Sequence, residues 1–192
     1  MTDSELIHGI LGRDRQAFQY LVDKYQEQVV KTAYYFTGNM EDAEDLSQDI
    51  FLEIIDSAAS FRHSAALSTW IYRITVNHSL NQVKRNRRRE IFQRMGQMFT
   101  GNDGGKISGI TASDQGMPHE QTENRMLLRK AVNGLPGNQR IAFVLNKYED
   151  LSYKEISEVM NLSLSSVESL IHRARLNMQK QLLVHFPEYQ KK

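Results

Sequence analysis

The sequence predicts an all-α protein: two small helical domains joined by a flexible linker, the C-terminal one containing a helix-turn-helix. Three observations carry this. Apolar residues recur three and four apart through residues 14–90 and again through 120–178, the period of helices buried on one side. Between these stretches, residues 93–119 lose all periodicity and hold glycine at 96, 101, 104, 105, 109 and 116 among Ser, Thr, Asn and Asp, a composition suited to a linker. A structureless stretch of that length is uncommon inside one domain, so the expected domains are 1–92 and 120–186. Near the C-terminus, two short helical patterns flank a three-residue turn, Asn161 to Ser163.

The elements follow in order. Thr2 to Leu11 form a short leading helix. Residues 14–36 form a second, with Phe18, Leu21, Val22, Tyr25, Val29 and Ala33 on its apolar side. Gly38 and Asn39 stop it, because both tolerate the left-handed backbone of a helix C-terminus. Residues 40–57 form a third, with an apolar stripe of Ala43, Leu46, Ile50 and Ile54. Beside it runs an acidic stripe: Asp42, Asp45, Asp49, Glu53 and Asp56. Like charges four apart repel by about 0.2–0.5 kcal/mol per pair, so a chain that keeps the stripe has a use for it or merely a soluble face.

A polar loop from Arg62 to Ser68 leads into a long helix over 68–90, which holds neither Gly nor Pro. Trp70, Arg73, Asn77, Asn81, Lys84 and Arg88 share one face. Tyr72, Val76, Leu80 and Val83 form a second, apolar stripe. Asn amides bond base edges, an indole stacks on a base, and Lys and Arg neutralise phosphates. That mixture on one helix points to DNA, against the plainer readings of a solvated basic helix end and of Trp70 as a core residue.

After the linker, a helix over 120–133 ends at Gly134, and the next opens with Pro136 in its first turn, where a missing N–H costs nothing. It carries Ile141, Ala142, Leu145 and Tyr148. Ser152 and Glu155 form a capping box before Ile156, Val159 and Met160. Ser163 is the expected N-cap of the last helix, with Val167, Leu170, Ile171, Ala174 and Met178 inward. Ser165, Glu168, Ser169, His172, Arg173 and Lys180 face outward. Two short helices across such a turn make a helix-turn-helix whose second helix lies in a major groove, or a purely structural hairpin.

Composition bounds the function. The 192 residues contain no Cys, which removes disulfides and thiolate metal sites. No signal peptide is expected at the N-terminus, and no segment approaches 18 apolar residues, so no membrane insertion is expected and the cytoplasm is the default compartment. The net charge of +1 hides a partition. Residues 1–60 hold 4 Lys/Arg against 12 Asp/Glu, a charge of −8; residues 61–100 hold 8 against 1, a charge of +7; residues 101–192 hold 12 against 10, a charge of +2. An acidic third beside a basic third implies two partners of opposite character, protein and nucleic acid. None of the six His stands in metal-ligand spacing with another His, so no metal, cofactor or catalytic residue is assigned. An enzyme such as a metal-dependent nuclease is thereby disfavoured. The remaining alternative is a helix-turn-helix repressor or activator with an acidic N-terminal interaction domain. It leaves the second DNA-facing helix, ending KRNRRR, without a role.

Three segments in this order resemble the extracytoplasmic-function (ECF, group 4) RNA polymerase sigma factors of the sigma-70 family. They are FQYLVDKYQEQVVKTAYYFTGNMEDAEDLSQDIFLEII, FRHSAALSTWIYRITVNHSLNQVKRNRRR and LPGNQRIAFVLNKYEDLSYKEISEVMNLSLSSVESLIHRAR. The resemblance implies a transcription initiation factor that binds core RNA polymerase, reads the minus-ten and minus-thirty-five elements and helps open the duplex. It implies that Asp42, Asp45, Gln48, Asp49 and Phe51 dock on the clamp coiled coil of the largest polymerase subunit. It implies minus-ten DNA contacts from Phe61, Arg62, Trp70, Arg73, Asn77, Asn81, Lys84, Arg85 and Arg88, with the loop from Phe61 to Ser68 capturing a flipped base. It implies minus-thirty-five contacts from Ser165, Ser166, Glu168, Ser169, His172 and Arg173. The flap of the second polymerase subunit, promoter DNA and an anti-sigma factor are the further implied partners, and the free protein is expected to be monomeric. One departure stands out: many relatives carry Lys or Arg where this chain has Glu168.

Overall fold

The structure, a computed structural model, describes residues 1–62, 65–100 and 119–184, apart from the side chains of 87, 90, 93–100 and 119–125. Among the described residues it holds eight α-helices, one 3-10 turn and no strand. They are α1 (Asp3–Leu11), α2 (Arg15–Thr37), α3 (Met40–Ser57), α4 (Leu67–Thr100), α5 (His119–Asn133), α6 (Gly137–Lys147), α7 (Tyr153–Met160) and α8 (Leu164–Leu183), with the 3-10 turn at Ala58–Ser60.

Local chemistry sets the boundaries. Thr2 caps α1 through a capping box with Glu5. Asp14 caps α2 by accepting from the Gln16 N–H at 2.8 Å. At the other end Gly38 takes φ 78° and donates its N–H to the Tyr34 carbonyl, the left-handed stop expected there. Asn39 then caps α3 by accepting from the Glu41 N–H. Ser152 and Glu155 form the expected capping box on α7, Asn161 closes α7 in the left-handed region at φ 52°, and Ser163 caps α8.

Two boundaries differ from expectation. The long helix runs to Thr100, so residues 93–100 of the expected linker are helical. One glycine among Gln, Arg and Met costs only about 1 kcal/mol of helix propensity, which the good helix formers around it outweigh. The rest of the expected linker, 101–118, lies outside the described residues. Pro136 is the N-cap of α6, with φ −54° and ψ 145°, instead of sitting in its first turn. Its extended ψ begins the helix one residue later, and its carbonyl receives the Arg140 N–H at 2.9 Å.

The chain divides into two compact units. The first holds α1–α3 with α4 from Ile74 onward; the second holds α4 up to Arg73 with α5–α8. In the first, α2 packs on α1 and α3 around Leu6, Leu21, Val29, Phe36, Ile50 and Ile54, all fully buried. In the second, α8 packs on α5, α6 and α7, burying Leu145, Ile156 and Ile171, and Leu67 and Ile71 are buried in the first turns of α4. By their contacts the residues of α4 up to Arg73 group with the second unit and those from Ile74 with the first. Tyr72 donates its hydroxyl to Glu149 at 3.0 Å, and the Arg73 Nε donates to the Val159 carbonyl at 3.2 Å, which groups the start of α4 with α6 and α7. Arg140, which the sequence does not mark as special, is 4% exposed. It donates to Asn133, and burial lowers its guanidinium to about 10.

Candidate nucleic-acid and protein interface

On α3, Asp45, Gln48, Asp49, Glu53 and Asp56 are exposed and Asp42 is half-buried. The acidic stripe is therefore on the surface, as its offset from Ala43, Leu46, Ile50 and Ile54 requires; those four are buried. Glu53 faces the His78 imidazole of α4 at 3.9 Å. Phe51 is 9% exposed and does not project outward. It lines a groove of about 360 Å³ between α2 and α3 with Val22, Gln26, Gln48, Leu52 and Ile55. A second groove, of about 790 Å³, continues along the same helix pair between Glu27, Lys31 and Tyr34 on α2 and Met40, Glu44 and Gln48 on α3. Leu52 is 61% exposed and Met40 51%. The sequence reading missed both. The signal was there: two large apolar side chains off the core stripe of an otherwise acidic helix.

On α4, Asn77, Asn81, Lys84, Arg85 and Arg88 are all exposed. Positions 77, 81, 84 and 88 fall within about 60° of one another around the axis and span about 16 Å along it at 1.5 Å per residue, close to five steps of a single strand at about 3.4 Å each. Val76, Thr75 and Ser79 are buried on the opposite side. The structure therefore separates a polar, cationic face from a packed one; of the expected apolar stripe Tyr72 and Val76 are buried, while Leu80 and Val83 are only half-buried. Other candidates sit differently. Trp70 is half-buried. Arg73 directs Nε and Nη2 to the carbonyls of Val159 and Glu158 at the end of α7, where a cation suits the helix dipole. Burial first, then the Glu149 carboxylate, push the neighbouring Tyr72 phenol above its usual range. Arg62 is exposed, whereas Phe61 is 9% exposed and donates its backbone N–H to Ala58. Residues 63 and 64, in the loop expected to capture a base, lie outside the described residues.

On α8, Val167, Ile171, Ala174 and Met178 are buried, with Leu170 only half-buried. Ser165, Glu168, Ser169, His172 and Arg173 are exposed. Four of these, Glu168, Ser169, His172 and Arg173, line a shallow depression of about 520 Å³. Ser166 is half-buried and lies 2.8 Å from the Ser163 hydroxyl, and the Ser165 hydroxyl lies 3.2 Å from it. These serines thus reinforce the helix start. Leu162 and Leu164 are exposed beside them, two apolar contacts the sequence reading did not single out, although neither fits the buried period of α7 or α8. The exposed row on α8 follows a capped turn after α7, the arrangement that presents a helix N-terminus to a major groove.

Among the described residues, no group of three His, Cys, Asp or Glu is placed to hold a metal, and no helix is long and apolar enough to cross a membrane.

Comparison with known proteins gives these surfaces a common context. Residues 21–89 match the family Sigma-70 region 2, and residues 125–178 match Sigma-70, region 4. The chain is 30% identical over 177 residues to the ECF RNA polymerase sigma-E factor of Escherichia coli strain K12, covering 91% of each. It is 28% identical to the RNA polymerase sigma-H factor of Pseudomonas aeruginosa, covering 94% of this chain and 93% of that one. It is also 28% identical to the ECF RNA polymerase sigma factor SigW of Bacillus subtilis, covering 88% and 90%. The fold is shared with CnrH, solved in complex with the cytosolic domain of CnrY (TM-score 0.65, 20% identity, 94% and 96% covered). It is shared too with RpoE of Bartonella quintana, solved with the anti-sigma factor NepR (TM-score 0.55, 23% identity, 87% and 97% covered). The chain belongs to the sigma-70 family, in its ECF group of RNA polymerase sigma factors. Its function is that of the family: it directs RNA polymerase to promoters.

Proposed function

We propose a division of that work among the three faces. The acid-rich face of α3, with Asp42, Asp45, Gln48 and Asp49, docks on core RNA polymerase, and Leu52 and the Phe51-lined groove supply the apolar contact at its centre. The observation that carries this is the pairing of exposed Leu52 with exposed carboxylates: an apolar anchor ringed by charge is what a protein interface uses. Asn77, Asn81, Lys84, Arg85 and Arg88 track the minus-ten strand, with Arg62 and Trp70 at its upstream end; Phe61 and Arg73 join them only by leaving the core and the α7 carbonyls that hold them in the free protein. The outward row of α8 reads the minus-thirty-five element.

Strand opening needs no catalysis by this chain. Melting costs about 1.4 kcal/mol per base-pair step, and stacking of bases on protein aromatics returns about 1–3 kcal/mol each. The protein therefore acts as a binding factor, not an enzyme, and its work on RNA polymerase puts it in the cytoplasm. The same α2–α3 grooves suit a second occupant, an anti-sigma factor that competes with polymerase.

The experiment is run-off transcription with purified core RNA polymerase on pooled promoter fragments, with and without the protein. Discrete start sites seen only with the protein, upstream of which two spaced elements recur, are the expected result. Polymerase that neither binds the protein nor initiates with it overturns the assignment of α3 and favours a stand-alone helix-turn-helix regulator, which would bind palindromic sites as a dimer.

A further inference from the structure

Glu168 is the fifth residue after the α8 N-cap Ser163, and it is exposed. The row that α8 turns outward over its first turns is Leu164, Ser165, Glu168, Ser169 and His172. It holds one carboxylate and no Lys or Arg. The first cation on this face is Arg173, whose Nε is turned back to the Ser169 carbonyl at 3.2 Å. Nothing local accounts for Glu168. The helix dipole rewards acids only in the first turn, which this position has passed. The residues three and four away are Ser165, Leu164, Ile171 and His172, so no Lys or Arg stands in helical pairing range.

A carboxylate is an acceptor only, and it repels the phosphates that most residues of such a helix would seek. It therefore belongs over a base edge that offers a donor. Guanine presents two acceptors in the major groove, thymine an acceptor and a methyl group, and adenine a donor beside an acceptor. Cytosine presents its N4 amino group alone. We propose that Glu168 accepts a hydrogen bond from the N4 amino group of one cytosine in the minus-thirty-five element, making this residue a determinant of promoter choice. The proposal rests on the reading of α8 as the minus-thirty-five reader.

The test randomises, in two separate libraries, the minus-thirty-five and the minus-ten element of one promoter found by run-off mapping and selects for open complexes formed by core polymerase with the full-length protein. Wild type is expected to enrich cytosine at one position by about five-fold or more. Glu168→Gln is expected to move that position to adenine, whose N6 and N7 an amide bonds together, and Glu168→Arg to guanine, whose O6 and N7 a guanidinium bonds together. Selection at the minus-ten element stays unchanged in all three, which shows that each variant is folded and engaged with polymerase. A cytosine preference that survives Glu168→Gln and Glu168→Ala, or minus-thirty-five selection without any cytosine, overturns the proposal and leaves α8 as the reader. A wild type indifferent to the whole minus-thirty-five element while still selecting its minus-ten element overturns both.

Discussion

At the scale of single residues, the polar chemistry is concentrated at helix starts, and there it is testable. Glu155 closes the capping box of α7: its carboxylate accepts from the Ser152 hydroxyl at 2.6 Å and from the Ser152 N–H at 2.8 Å. Those two bonds, the hydroxyl first, hold its carboxyl below the usual glutamate range. The sign follows. A carboxyl whose folded value is depressed lends stability that is complete above its unfolded value and is lost as pH falls through the folded one. The α7 amides are therefore expected to exchange faster with solvent as pH drops from about 6 to about 3, once the intrinsic pH dependence is removed. Glu155→Gln should flatten that response. Ser152→Ala removes the reciprocal half of the box and should cost about 1 kcal/mol, read as a lower denaturant midpoint at unchanged slope. A Ser152→Ala protein as stable as wild type would show that packing on α8 holds α7 without its cap.

At the scale of elements, α1 meets α2 through a glycine. A Cβ placed on Gly9 would lie 2.6 Å from the Cβ of Ala17, closer than the two atoms can stand. Two effects oppose each other in Gly9→Ala. Alanine gains about 1 kcal/mol of helix propensity over glycine, while overpacking a well-packed contact costs about 1–3 kcal/mol. Because the clash is with a Cβ on a rigid helix and not with the end of a flexible chain, the cost wins and the variant is expected to melt lower. Ala17→Gly reopens the space, so the double variant should recover more stability than the two single changes predict together. Simple additivity in that cycle would place the cost of Gly9→Ala elsewhere.

Helix existence and most outward faces were legible in the sequence because both rest on periodicity and caps: Gly38, Ser152, Asn161 and Ser163 act where composition says they should, while Asn39, expected to help stop α2, instead caps α3 in extended backbone. What was not legible depends on tertiary partners. Nothing in the periodicity of α4 marks that Arg73 ends on the carbonyls of α7, or that the boundary between the units falls at Arg73 and Ile74. Phe51 and Leu52 are adjacent apolar residues, and only packing decides that the first is buried and the second 61% exposed. The end of α4 at Thr100 was missed for a different reason: a lone glycine reads as a breaker locally, but it is a small cost to a helix already long.

At the scale of the whole molecule, the charge partition sets function against stability on α3. Asp45 and Asp49 are both exposed and stand four residues apart, so they repel by about 0.2–0.5 kcal/mol in the free protein. Neutralising both, as Asp45→Asn with Asp49→Asn, keeps side-chain shape and leaves helix propensity nearly unchanged. The free double variant should therefore be at least as stable as wild type. Its affinity for core polymerase should fall. Each exposed ion pair across an interface contributes about 0.2–1 kcal/mol, and 1.4 kcal/mol is ten-fold, so the loss is expected to be between about two-fold and about thirty-fold. Much of it should appear in the association rate, where complementary charge acts most. Salt separates this from a packing defect: raising ionic strength from 0.15 M toward 1 M shortens the screening length from about 8 Å to about 3 Å, so the gap between wild type and variant should close. A titration of labelled protein into core polymerase at both salts decides it. A gap that persists at high salt would mean the aspartates act through close, desolvated pairs and hydrogen bonds that salt screens little. No gap at either salt would move the docking face off the acidic stripe and onto the grooves around Phe51 and Tyr34.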